Sequence, residues 1–186
     1  MVKGHNVEAT IEIRKAAPSE LNDLYELVTN NSEWTRFNGP YFPYSHPTYE
    51  QFRADLFNKL LLGESIKLIT LNGVPVGSVS YYWECESTRW LEVGVIIYDQ
   101  AHWGKGIARP ALRLWISELF NRFDIARVGL TTWSGNPRMM KCAEKLGMTQ
   151  EARLRKVRYF SGHYYDSVKY GVLREEWKQL MARVCA

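Results

Sequence analysis

LEVGVIIYDQAHWGKGIARPA, residues 91–111, joins an apolar run, a turn with two glycines and the start of an amphipathic segment. The run belongs to RWLEVGVIIY and reads as a strand. From Ala108 the apolar residues Ala108, Ala111, Trp115, Leu119 and Phe123 recur at helical spacing, and Pro110 falls in the first turn, where a missing N–H costs little. A glycine turn between a strand and a helix leaves main-chain N–H groups unpaired at the positive end of the helix dipole, which is an anion site. Gly104 and Gly106 let the backbone approach a phosphate with no Cβ in the way, and Lys105, Arg109 and Arg113 add positive charge. The spacing misses the nucleoside-triphosphate loop pattern. It misses the dinucleotide pattern too, because Arg109 stands where a third glycine belongs. The residues alone imply a phosphate and go no further.

On the N-terminal side, SIKLITL and VPVGSVSYYW flank Asn72-Gly73, a strong hairpin signal. Earlier still, IEIRKA alternates as a half-buried strand does, and APSELNDLYELVTNN forms a helix with Pro18 in its first turn. An aromatic loop spans Glu33 to Pro47. Thr48 and Gln51 fit a capping box for a helix bearing Phe52, Leu56 and Leu60. On the C-terminal side come the strand RVGLTTW, a helix from Asn136 to Leu146 stopped by Gly147, two strands around Ser161-Gly162, and a last helix in REEWKQLMARV. This order predicts an α+β fold, a mixed and mostly antiparallel sheet with helices on both faces.

The chain has 186 residues, the length of one domain, and no linker or repeat divides it, so residues 1–186 are expected to form a single unit. A hydrophobic share of 46% fills a core of that size. The net charge of +4 is too mild to argue for nucleic acid and suits an anionic small ligand. In the end hairpin Arg153, Arg155, Lys156 and Arg158 alternate as a solvated strand face does, which weighs against RNA binding. Cys85, Cys142 and Cys185 share no metal-site or disulfide spacing, so no metal is expected and a reducing compartment fits. No segment reaches the ~18 apolar residues of a membrane span, and the N-terminus lacks a secretory apolar run. The expectation is a cytoplasmic protein with no membrane partner.

The stretch VGVIIYDQAHWGKGIARPAL resembles the acyl-CoA signature of the GNAT superfamily of N-acyltransferases: a strand, then Q/R-x-x-G-x-G/A, then a helix. TTWSGNPRMMKCAEKLGM and the end hairpin extend the likeness, with ribosomal-protein N-terminal and spermidine acetyltransferases as the nearest kinds. The resemblance implies acetyl-CoA as co-substrate. Its pyrophosphate would rest on the amides of Trp103, Gly104, Lys105, Gly106, Ile107 and Ala108, and its pantetheine arm would pair by backbone with Val95, Ile96 and Ile97. Asn136 matches the family asparagine near the pantetheine end. Ala101 departs from the Q/R position, which a cradle made of backbone tolerates.

A neutral amine must attack the thioester, so a carboxylate in a desolvated cleft is the base the chemistry asks for. Glu92, at the start of the signature strand, is the candidate, and backbone N–H groups around Val95 and Ile96 would hold the oxyanion. The family's acid positions are Ala143, where many members have tyrosine, and Met139, where others have serine. Cys142, Tyr159, Tyr164 and Tyr165 are the remaining donors, and none is singled out. Trp34, Tyr41, Tyr82 and Glu84 are candidates to bind the acceptor, since aromatics beside carboxylates suit a cation. The acceptor is a protein N-terminal amine or a small amine such as a polyamine, an amino acid or an aminoglycoside. The alternative is a catalytically weak acyl-CoA-binding domain acting as sensor or scaffold. Edge strands near the C-terminus carry the family expectation of a homodimer.

Overall fold

Asn72 (φ 51°) and Gly73 (φ 83°) turn the chain between β2 (Ile66–Leu71) and β3 (Val74–Cys85) through two left-handed residues, as the Asn-Gly pair predicts. In the computed structural model, residues 9–30 and 32–184 are described. The extreme N-terminus and Cys185 lie outside them. β1 (Ile11–Arg14) pairs with β2, and β4 (Trp90–Ile97) follows β3 antiparallel. The sheet continues through β5 (Arg127–Trp133), β6 (Thr149–Phe160) and β7 (His163–Leu173). Its seven strands run in the order β1-β2-β3-β4-β5-β7-β6. All neighbours are antiparallel except β4 and β5.

Helices lie on both faces. One face carries α1 (Leu21–Thr29), α2 (Tyr49–Phe52) and α3 (Asn58–Leu62), which enclose a core of Leu24, Val28, Phe52, Phe57, Leu60, Leu68 and Tyr98. The Thr48–Gln51 capping box forms as expected. Between α2 and α3, residues Arg53–Phe57 make a π turn. That turn aligns residues five apart, so Phe52 and Phe57 both face the core, in place of the Phe52–Leu56 pairing read from helical spacing. The other face carries α4 (Ala108–Arg122), α5 (Pro137–Leu146) and α6 (Arg174–Val184). The buried stripe of α4 is Ala111, Leu112, Trp115, Ile116, Leu119 and Phe120. Ala108 and Phe123 sit at its ends, only partly covered. Each fully buried Leu or Ile of that stripe contributes roughly 1.5–3 kcal/mol.

The decisive feature is a splay. β4 and β5 pair only at Leu91–Val128 and Glu92–Gly129, after which the two strands run on to Ile97 and Trp133 without pairing. A cleft of about 950 Å³ opens between them. Among the described residues, no helix is long and apolar enough to cross a membrane, and no cluster of His, Cys, Asp and Glu is placed to hold a metal.

Candidate active site

The main-chain polarity of β4 follows from its pairing with β3. Tyr98 donates its N–H to the Val76 carbonyl at 3.0 Å, and the register then places Ser78 opposite Ile96 and Ser80 opposite Gly94. Antiparallel hydrogen bonding alternates, so Ile96, Gly94 and Glu92 turn their N–H and C=O groups toward β3. The Ile96 carbonyl indeed occupies the space where a Cβ on Gly77 would stand, which is why residue 77 is glycine. Val95 and Ile97 face the cleft instead. Of the three residues expected to pair with a pantetheine arm and hold an oxyanion, Ile96 is therefore excluded as a backbone donor.

The glycine loop divides in the same way. The Trp103 amide donates to the Gln100 carbonyl at 3.0 Å, closing a short turn capped by Asp99, and so leaves the expected cradle. The amides of Gly104, Lys105, Gly106, Ile107 and Ala108 have no protein acceptor among the described residues. Gly104 (φ 75°) and Gly106 (φ 78°) are left-handed, and nothing lies within 4 Å of where their Cβ atoms would be. This is an open, donor-lined concavity at the start of a fifteen-residue helix, and it fits a diphosphate.

The surrounding charge differs from the sequence reading. Arg109 lines the cleft, whereas the side chains of Lys105 and Arg113 do not. The missing positive charge comes from Arg138, Lys141 and Lys145 on α5. They are spaced three and four residues apart, one face of a helix, a periodicity available in the sequence. Asn136 accepts from the Met139 N–H at 3.1 Å, capping α5, and donates to the Phe37 carbonyl at 3.2 Å. Trp133 Nε1 donates to the same carbonyl at 3.0 Å. The Phe37 ring packs edge-on against Trp103, and the Arg138 guanidinium lies over both rings. Trp103 in turn donates its indole N–H to the Ile97 carbonyl at 2.9 Å. A strap of loop thus bridges the mouth of the splay.

Glu92 is 0% exposed and does not line the cleft. Thr131 Oγ1 donates to its Oε2 at 2.5 Å, and the Tyr82 hydroxyl stands 3.4 Å from the same oxygen. Trp90 Nε1 reaches Oε1 at 3.3 Å, and Lys169 Nζ lies 3.9 Å from Oε1 and 3.9 Å from Glu84. Thr131, Tyr82, Glu84 and Lys169 do line the cleft. Desolvation first, then the charges of Glu92 and Glu84, raises the Tyr82 phenol above its usual range, so it stays protonated.

The remaining candidates separate by position. Tyr41 lines the cleft, packs edge-on against Trp133 and lies under Arg158. Trp34 also reaches the cleft, but its N–H is bound to the Val28 carbonyl and its ring packs on Tyr44 and Tyr98, so it is chiefly structural. Ala143 is fully buried in the core. Tyr159 and Tyr164 stack on each other at the exposed hairpin tip, and Tyr165 packs on Trp133; none of the three lines the cleft. Cys142 does, but burial pushes its thiol up to about 11. Burial thus holds it as a neutral thiol packed against the core.

A splayed parallel pair, a bare amide cradle and a basic wall define an acyl-CoA-dependent transferase. Residues 10–149 match the family model described as Acetyltransferase (GNAT) domain, and the chain belongs to this family. It is 26% identical over 182 residues to the putative ribosomal N-acetyltransferase YdaF of Bacillus subtilis (strain 168), covering 92% of this chain and 96% of that one. The RimL ribosomal L7/L12 alpha-N-protein acetyltransferase, solved with coenzyme A, superposes with a TM-score of 0.70 at 23% identity, covering 88% and 94% of the two chains. The spermidine N-acetyltransferase of Vibrio cholerae, solved with coenzyme A and spermine, gives 0.71 at 19% identity, covering 90% and 98%.

Proposed function

We propose that the chain transfers an acetyl group from acetyl-CoA directly to a primary amine, with Glu92 as the base acting through Thr131. The observation that carries this reading is the buried Glu92 carboxylate hydrogen-bonded by Thr131, a residue that lines the cleft. Bound acetyl-CoA supplies an electrophilic thioester carbonyl and a thiolate leaving group. The amides 104–108, with Arg109, Arg138, Lys141 and Lys145, hold its phosphates, and the cleft-facing groups of Val95 and Ile97 line its arm. The Val95 N–H is the donor placed for negative charge collecting on the thioester oxygen.

An acceptor ammonium beside Thr131 passes a proton to the threonine oxygen while the threonine proton moves to Glu92 Oε2. A hydroxyl both accepts and donates, so the relay needs no exposed carboxylate. The neutral amine then forms the C–N bond as the C–S bond breaks, and the extra proton left on the nitrogen passes to the departing sulfur, giving the amide and free thiol. The thiolate, of pKa about 8.5, leaves without a dedicated acid, consistent with Ala143 and Met139 at the family's acid positions.

Release of free coenzyme A with a panel of peptide and small amines tests the reaction. Glu92→Gln should lower kcat by roughly 10²- to 10⁴-fold while acetyl-CoA affinity changes by less than about threefold. Full activity of that variant from about pH 6 to about pH 9 rules out the relay. Tight acetyl-CoA binding with no turnover on any amine would instead mark a sensor.

A further inference from the structure

Beyond the slot, the cleft runs along β7 between two poles of opposite charge. Thr131 stands opposite Lys169 and Trp133 opposite Ser167; Arg158, opposite Tyr165, comes next, and all but Tyr165 line the cleft. Arg109, Arg138, Lys141 and Lys145 face the cofactor phosphates, and His102 sits 3.4 Å from Asp99. The other charged side chains lining the cleft are Glu84, Lys169 and Arg158. At the Thr131 end, Glu84 and the buried Glu92 share one cation: Lys169 Nζ lies 3.9 Å from each and 5.2 Å from the centre of the Trp90 ring. That end is one positive charge short.

The other end has one to spare. Arg158 forms no ion pair among the described residues, because the neighbouring Asp166 is held by Arg153 at 2.6 Å and by the Lys156 N–H at 2.9 Å. The cause lies in β6. From Leu154, opposite Ser167, to Arg158, opposite Tyr165, β6 takes four steps against two on β7, with Lys156 in left-handed backbone (φ 56°). A bulge of this kind bends a strand and re-aims its side chains. Arg153, Arg155 and Lys156 stay exposed as an alternating face predicts, whereas Arg158 is half-buried and turns to the cleft. Its guanidinium lies 4.7 Å from the centre of the Tyr41 ring and 5.7 Å from that of Phe42, and its Nε is shut off from water with no acceptor. A guanidinium fixed on aromatic rings is pre-positioned for two-point bonding to a carboxylate.

The spacing between the poles selects further. Lys169 and Tyr165 are four residues apart on β7, about 13 Å at about 3.3 Å per residue. Even with the arginine side chain reaching back, an α-amino acid is too short to touch Thr131 and Arg158 together. Between them the Trp133 and Tyr41 rings, packed edge-on at 5.8 Å, offer an apolar wall to an aliphatic chain. A diamine would set its second cation against Arg158, a like-charge contact that disfavours it.

We propose that Arg158 determines acceptor specificity, and that the acceptor is a small ω-amino carboxylic acid with its amine at Thr131 and its carboxylate on the Arg158 guanidinium. The proposal rests on the acetyltransferase reading and narrows its acceptor class.

The test is acetyl-CoA turnover on ε-aminocaproate, hexylamine and hexamethylenediamine, whose amines are closely matched in basicity, with γ-aminobutyrate and glycine as shorter acids. We expect kcat/KM for ε-aminocaproate to exceed that for hexylamine by roughly tenfold, with γ-aminobutyrate and then glycine falling away and the diamine below hexylamine. Arg158→Met keeps an unbranched side chain against Tyr41 and should bring the ratio of ε-aminocaproate to hexylamine to about one; Arg158→Lys should restore part of it. A residue that only supported the loop would slow both amines alike and leave the ratio unmoved. A wild-type ratio near one, a diamine that outperforms ε-aminocaproate, a ratio that survives in folded Arg158→Met, or a loss of acetyl-CoA affinity in that variant would each overturn the assignment while leaving acetyl transfer standing. The wild-type comparison decides even if the variants do not fold. Absence of turnover on every amine would overturn both readings together.

Discussion

The slot between β4 and β5 and the floor around Glu92 share a strand, yet they are built by opposite means. The slot is main chain: the cleft-facing edge of Val95 and Ile97, and the amides after Gly104. The floor is side chain: Glu92, Thr131, Tyr82 and Lys169 meet from four different strands. A site made of main chain survives substitution. Ala101 stands where relatives are expected to carry Gln or Arg, and the amide cradle is still open. A site made of side chains does not survive in that way. With Ala143 and Met139 at the acid positions, the corresponding hydroxyls are simply gone. Cofactor recognition and acceptor chemistry should therefore respond differently to mutation.

The largest effect on acetyl-CoA binding is expected in the slot. Gly106→Trp places an indole where the diphosphate would lie, and should weaken acetyl-CoA binding by more than about a hundredfold. The substitution forces a side chain into a left-handed backbone, costing roughly 1–2 kcal/mol. The space around a Cβ is empty, so the protein should still fold. Titration calorimetry with a melting curve on the same sample separates the two effects. Unchanged affinity in the folded variant would remove the loop from the cofactor site.

On the floor the effect should be smaller and confined to turnover. Thr131→Val keeps the shape of the side chain and deletes the hydroxyl that links the cleft to Glu92. We expect kcat to fall by roughly 10- to 100-fold, with acetyl-CoA affinity within about twofold. Equal losses in binding and turnover would mean that Thr131 only supports the sheet.

The same division decides what could be read from sequence. The Asn72-Gly73 hairpin, the Gly147 helix stop and the glycine loop before α4 are local events set by one or two residues, and all were legible. The splay is not local. It depends on where β5, some thirty residues later, stops following β4. Whether Ile96 or Val95 faces the cleft is a matter of pairing parity with β3, which hydrophobic alternation does not report. Glu92 was legible as a candidate, but the hydroxyl that gives it access to the cleft comes from a strand 39 residues away. The basic face of α5 was legible in principle from the spacing of Arg138, Lys141 and Lys145. Nearness in sequence to the glycines points instead to Lys105 and Arg113, whose side chains do not line the cleft.

The smallest expected effect is the one that sharpens the contrast most, because it lies where side chain and main chain compete. The Ile97 carbonyl faces the slot with one of its two lone pairs already taken by the Trp103 indole N–H, so an incoming pantetheine amide must share the oxygen with that bond or displace it. Trp103→Phe keeps an aromatic ring against Phe37 and removes the N–H. The competing bond has a net value of about 0.5–1.5 kcal/mol, so acetyl-CoA should bind roughly two- to tenfold more tightly to the variant. A gain of that size, read by calorimetry, would show that the free protein holds its slot partly closed with its own indole. Weaker binding would show the reverse, that the Trp103 N–H turns to the cofactor and belongs to the slot rather than to its cover.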